Sequence, residues 1–189
     1  MSAVNAPFGL KPLFHPSGNI VPVQATIESE YDSNIFQYSP VKYGSTTSQG
    51  YVIMAPTDET LVGSFQGCQY TDVNGRRNFS NKWPANTVAT EIVCWITTDP
   101  QIVYEIQGTG SIDFSAVGMQ GNYSTNNSAA GNIYTGLSSV TLGTPSASVD
   151  GQLRVIGLSQ AVNNEWGDAF TVVQVQIAEH QFVEPIGPF

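Results

Sequence analysis

The chain has 189 residues, 41% of them hydrophobic, but only 11% are charged and the formal charge is -9. This balance excludes intrinsic disorder, which needs few apolar residues and much charge, and long Ala/Glu/Lys/Leu-rich helices or coiled coils. It also opposes a basic grip on phosphate backbones, and no apolar run approaches the roughly 20 residues of a membrane helix.

The N-terminus lacks the basic and apolar regions of a secretion signal, so we expect synthesis and folding in a reducing cytosol. Residues 1–24 read as an extended arm distinct from a β-rich domain at 25–189. Pro7, Pro12, Pro16 and Pro22 punctuate it. Each fixes φ and lacks a donor, so neither a helix nor a central strand persists there. Phe8, Leu10, Leu13 and Phe14 are the arm's apolar anchors. They lie either across their own domain or on a neighbouring subunit.

From residue 25 onward, short runs of Val, Ile, Thr and aromatics alternate with Gly, Asn, Asp and Pro. Predicted strands are 21–27, 51–54, 61–66, 88–97, 102–107, 111–117, 139–142, 153–159 and 170–177. In the last, Val173, Val175 and Ile177 share one face and Gln174 and Gln176 the other. Asn74-Gly75 predicts a type I′ turn between Tyr70 and Phe79. Thr98-Asp99-Pro100 predicts a turn that folds 88–107 into a hairpin. Residues 118–136 read as a long polar loop, and 161–166 offer at most one helical turn. The fold expected is an all-β antiparallel sandwich or barrel with an extended Pro-rich N-terminal arm.

Catalytic patterns are weak. Gly157-Leu158-Ser159-Gln160-Ala161 lacks the final glycine and the helix of a nucleophile elbow, so Ser159 reads as the polar end of a strand. The two histidines, His15 and His180, lie far apart in sequence. Cys68 and Cys94 have no metal-ligand spacing and read as buried thiols rather than a bridge. Glu91, Glu105 and Asp113 lie on or near strands, and Glu91 and Glu105 would face each other across the expected hairpin. Such a pair could cleave glycosides; the ordinary reading is that each points to solvent or pairs with Lys82, Arg76 or Arg77. Asp72-Val73-Asn74-Gly75 has part of a calcium loop but lacks the later bidentate Glu. The sequons at Asn78, Asn122 and Asn126 read as chance in an Asn- and Ser-rich chain. No cofactor or metal is expected. Trp95 reads as core, and Trp83 and Trp166 as either surface aromatics or partly buried packing.

Few charges, many short strands and an apolar arm indicate a protein that binds by surface rather than by catalysis. The opening Asn5-Ala6-Pro7-Phe8-Gly9-Leu10-Lys11-Pro12 resembles the start of small structural proteins of tailed bacteriophages. So does the stretch from Val62 to Asp72, continuing through Gly75, Phe79-Ser80 and Trp83-Pro84. Asp99-Pro100 to Gln107 and Val173 to Phe182 look similar too. The family is that of capsid decoration, or cement, proteins. The resemblance implies a homo-oligomer, a trimer or similar, on the outer capsid surface of the virion, bridging major capsid protein subunits, with no direct contact to nucleic acid or membrane. It transfers no catalytic residue. The alternatives are a carbohydrate-binding module of a phage tail or fibre, which would expose Trp83 or Trp166, and a portal or tail connector.

Overall fold

Prolines and short β-branched runs leave the chain no means of building long helices, and strands carry almost the whole fold. The computed structural model describes residues 4–46, 48–125, 130–147 and 151–183. In chain order the strands are β1 (Lys11–Phe14), β2 (Val23–Ala25), β3 (Pro40–Tyr43), β4 (Val52–Met54), β5 (Gly63–Asp72), β6 (Arg77–Ser80) and β7 (Ala89–Ile96). They continue as β8 (Val103–Gln107), β9 (Gln120–Gly121), β10 (Tyr123–Thr125), β11 (Val140–Leu142), β12 (Leu153–Leu158) and β13 (Val172–Ile177). All pairings between these strands are antiparallel. One sheet has the order β1-β8-β13-β12-β9; a second runs β2-β7-β5-β3-β4, with β6 also paired to β5; β10 and β11 form a small third sheet. The sheets pack as an antiparallel β-sandwich.

Alternation decides what each sheet buries. Val173, Val175 and Ile177 of β13 join Tyr104, Ile106, Leu153 and Val155 in one apolar core, with Val140 and Leu142 of β11 and Tyr123 of β10 closing it. The second core gathers Val41, Val52, Phe65, Cys68, Trp83, Cys94 and Ile96 under the second sheet. A buried polar chain links the two sheets. Ser64 N–H donates to Thr97 Oγ1 at 3.0 Å, Thr97 Oγ1 lies 3.0 Å from the Tyr104 hydroxyl, and Ser64 Oγ donates to Leu10 O at 2.6 Å. Each of these buried groups has a partner, which is what makes a polar junction tolerable inside.

Several expectations change. Residues 88–107 are not a hairpin: β7 and β8 belong to different sheets, and Thr97–Ile102 carries the chain between them. The turn signal at Asp99-Pro100 marks a corner of the sandwich rather than a reversal. Residues 111–117 hold a 3-10 turn, Phe114–Ala116, instead of a strand. Ile112 and Ala116 are buried and Phe114 between them is exposed, a helical spacing that mimics alternation over so short a run. The long loop at 118–136 contains β9 and the strand β10; residues 126–129, with the sequon at Asn126, lie outside the described residues. At the β5–β6 turn only Gly75 has positive φ, +75°, so the type I′ expectation fails. Gly75 N–H bonds Asp72 O, and the Asp72 carboxylate accepts from the N–H groups of Asn74 and Arg76. This is a type I turn closed by a left-handed glycine. The strand β3 was not foreseen.

Candidate functional site

The Pro-rich segment forms a strap over its own domain rather than a free arm. Its two short strands form one edge of each large sheet: β1 pairs β8, and β2 pairs β7. Edges are where proline is admissible, because one side of the strand owes no hydrogen bond to a neighbour. Pro12 accordingly sits beside a register shift. The four anchors divide. Leu10 is fully buried among Ile102, Tyr104 and Ile106, so it is a core residue and not a contact for a neighbour. Its N–H donates to Tyr38 O at 2.8 Å. Phe8 is half-buried. Leu13 and Phe14 remain 37% and 46% exposed. The described part of residues 1–24 thus contributes Leu10 to the first core and β1 to the first sheet.

Leu13 and Phe14 line a groove of about 730 Å³ with Lys11, Glu105, Gln160, Ala161 and Gln174. Its charges are internally matched. Lys11 Nζ lies 3.5 Å from Glu105 Oε2, and Ser159 Oγ donates to Glu105 Oε1 at 2.6 Å. The exposed Val21 and Val23 lie further along the same strap, toward the edge of the second sheet.

The other candidates fall into place around this surface. Glu91 is far from facing Glu105: it bonds Arg77 at 2.9 Å and Thr71 at 2.8 Å on the second sheet. Ser159 is buried and its hydroxyl serves Glu105. Asp113 precedes the 3-10 turn, where it is exposed. His15 Nε2 lies 3.3 Å from Asp99 Oδ2, and His180 Nε2 lies 3.1 Å from Thr98 O. Both histidines thus converge on one corner, a proximity that their sequence positions concealed. Burial pushes the His180 imidazole below its ordinary pKa, partly offset by the Thr98 carbonyl. Cys68 and Cys94 face each other across β5 and β7 as free, buried thiols, and burial pushes both up to about 12. Among the described residues no group of three or more His, Cys, Asp or Glu side chains could hold a metal ion.

The tryptophans correct the sequence reading most sharply. Trp83 is fully buried in the second core, edge-on to Tyr70 at 5.2 Å, so it offers no surface. Trp166 is half-buried, packed against the first core and edge-on to Phe114. Trp95, expected in the core, points to the outer face: Cys94 and Ile96 on either side of it occupy the inner one. In comparisons with family models, curated proteins and solved structures, nothing matches this chain.

Proposed function

We propose that the chain is a structural virion protein that cements a capsid, binding across neighbouring major capsid protein subunits on the outer surface of the head. The observation that carries this reading is the strap. A β-sandwich with few charges takes one edge strand of each large sheet from a single proline-bearing segment, yet leaves Leu13, Phe14, Val21 and Val23 of that segment exposed. Apolar side chains on a sheet edge are a liability unless another surface covers them. The resemblance at Asn5–Pro12 and Val62–Pro84 supplies the kind of partner and the oligomer, a trimer.

The mechanism is mechanical and needs no turnover or cofactor. Packed genome presses on the shell from within. A bridging protein adds contact area that must be broken before subunits part. A stable protein interface buries about 1,200–2,000 Å², and the exposed strap side chains would lie in its apolar part. Edge strands carrying proline resist open-ended strand addition, so contact is directed to side chains and the groove beside β1.

The test uses the full chain carrying Leu13→Asp and Phe14→Asp together, mixed with expanded heads that lack it. Both side chains lie at the surface, so the melting temperature should stay within a few degrees while attachment falls by at least about tenfold. Attachment equal to the unmodified chain overturns the reading.

A further inference from the structure

On the outer face of the second sheet an aromatic pair stands apart from everything described so far. Trp95 on β7 is the register partner of Gly67 on β5, and Phe79 on β6 is the partner of Gln69, two residues along. The two rings therefore stand on opposite sides of β5, with a glycine between them. Gly67 has φ of +151°, and a Cβ there would meet the Ser80 carbonyl oxygen at 3.0 Å. Backbone thus forms the floor. The result is a shallow groove of about 390 Å³ lined by Gln66, Gly67, Cys68, Phe79, Ser80, Asn81 and Trp95. Phe79 is 74% exposed. An exposed phenylalanine beside an outward tryptophan is a poor arrangement for an empty surface.

The polar rim is as informative as the rings. No lining side chain is charged, since the Cys68 thiol is held neutral by burial. The nearest ion pair, Arg77 with Glu91, is already closed at 2.9 Å, and the Lys82 ammonium is spent on Ile133 O. Two amides are anchored through their nitrogens: Gln66 Nε2 donates to Ser64 O and Ser64 Oγ at 3.3 and 3.2 Å, and Asn81 Nδ2 donates to Thr135 O at 2.9 Å. So held, with the Asn81 oxygen packed against Gly136, the two amides are fixed neutral polar groups at the rim. Fixed neutral polar side chains around an apolar centre suit a ligand that is apolar on its faces and rich in hydroxyls at its edge.

We propose that this groove binds a neutral carbohydrate, with a pyranose ring stacked on Trp95 and Phe79 and its hydroxyls meeting the neutral polar side chains of Gln66, Ser80 and Asn81 at the rim. The absence of charge in the lining selects against anionic ligands, and a chain of net charge -9 repels nucleic-acid phosphates. A protein partner is disfavoured because a stable interface needs about 800 Å² per side with an apolar centre, whereas here two rings are ringed closely by amides and a hydroxyl. The site is on a different sheet from Leu13 and Phe14, so it stands or falls independently of attachment to a capsid.

The test titrates the full chain with soluble cello-, malto- and chito-oligosaccharides and follows tryptophan emission and heat. Saturable binding to at least one of the three classes is expected. Trp95→Ala and Phe79→Ala should each weaken it by about tenfold or more, while Trp166→Phe leaves it unchanged. Phe79 is so exposed that its removal cannot unfold the chain, and Trp95→Phe, with its melting temperature measured alongside, separates lost stacking from lost folding. Failure of all three sugar classes to bind overturns the proposal. Binding undiminished in both alanine variants overturns it too. So does concentration-dependent self-association that Trp95→Ala abolishes, because a second copy would then be the occupant.

Discussion

His180 uses both ring nitrogens in its neutral form. Nδ1 accepts from Phe182 N–H at 3.2 Å, so the hydrogen resides on Nε2, which donates to Thr98 O. Protonation would set a new hydrogen against the Phe182 N–H. Because the folded pKa lies below the ordinary imidazole value of about 6.5, the stabilising contribution is complete above that value and is lost as pH falls through the folded pKa. The melting temperature should therefore drop as pH falls below about 6.5, and His180→Gln should flatten that slope. A slope unchanged by the substitution would place the effect elsewhere. The thiols give a second prediction at this scale. Buried and raised to about 12, Cys68 and Cys94 should be inert to a disulfide reagent at neutral pH and react only after denaturation. Fast labelling of the native chain would contradict their placement. Trp83 gives a third. Fully buried, its replacement by Ala should cost about 3–5 kcal/mol in denaturant unfolding.

At the scale of elements the strap decides most. Deleting residues 1–16 removes Leu10 from the first core and β1 from the edge of β8. Such a truncation should unfold more readily and aggregate through the bared edge, and Leu10→Ala alone should cost about 2–5 kcal/mol. Gly9→Ala should be destabilising as well. Gly9 holds φ of +82°, and a Cβ would lie 2.5 Å from Tyr38 O. A truncated chain that melts like the parent would contradict this packing. These same elements show what the sequence made legible. The alternation along β13 assigned each side chain to its face, because one buried face leaves a period of two. The strap's prolines correctly excluded central strands. The course of β7 into β8 was not legible, because a turn signal fixes where the chain bends and not which sheet the next strand joins. Nor was the exchange of Trp83 and Trp95. Trp83 sits outside the named strands with no alternation to read, and β7 carries an irregular register near Glu91, whose φ is +49°. The groove at Gly67 depends on three strands meeting, and nothing local to Phe79 announces it.

For the whole molecule, charge and surface point the same way. With 15 acidic against 6 basic residues, long-range repulsion steers the chain away from polyanions. On the proposed reading, contact comes from short-range burial: apolar side chains on the strap at one side, an aromatic groove on the second sheet. Lys11, Lys42 and Arg77 are each engaged with a carboxylate of the same chain. With these cations engaged inside the chain, the proposed attachment rests on apolar contact and should depend little on salt. Attachment that collapses between low and physiological ionic strength would instead mark an electrostatic dock. The most direct test of a cementing role is the number of copies per particle, counted by mass spectrometry of purified virions against the major capsid protein. A cement is present in hundreds of copies, in fixed proportion to the shell subunits; about a dozen copies would mean a vertex or connector position instead, and none would end the account.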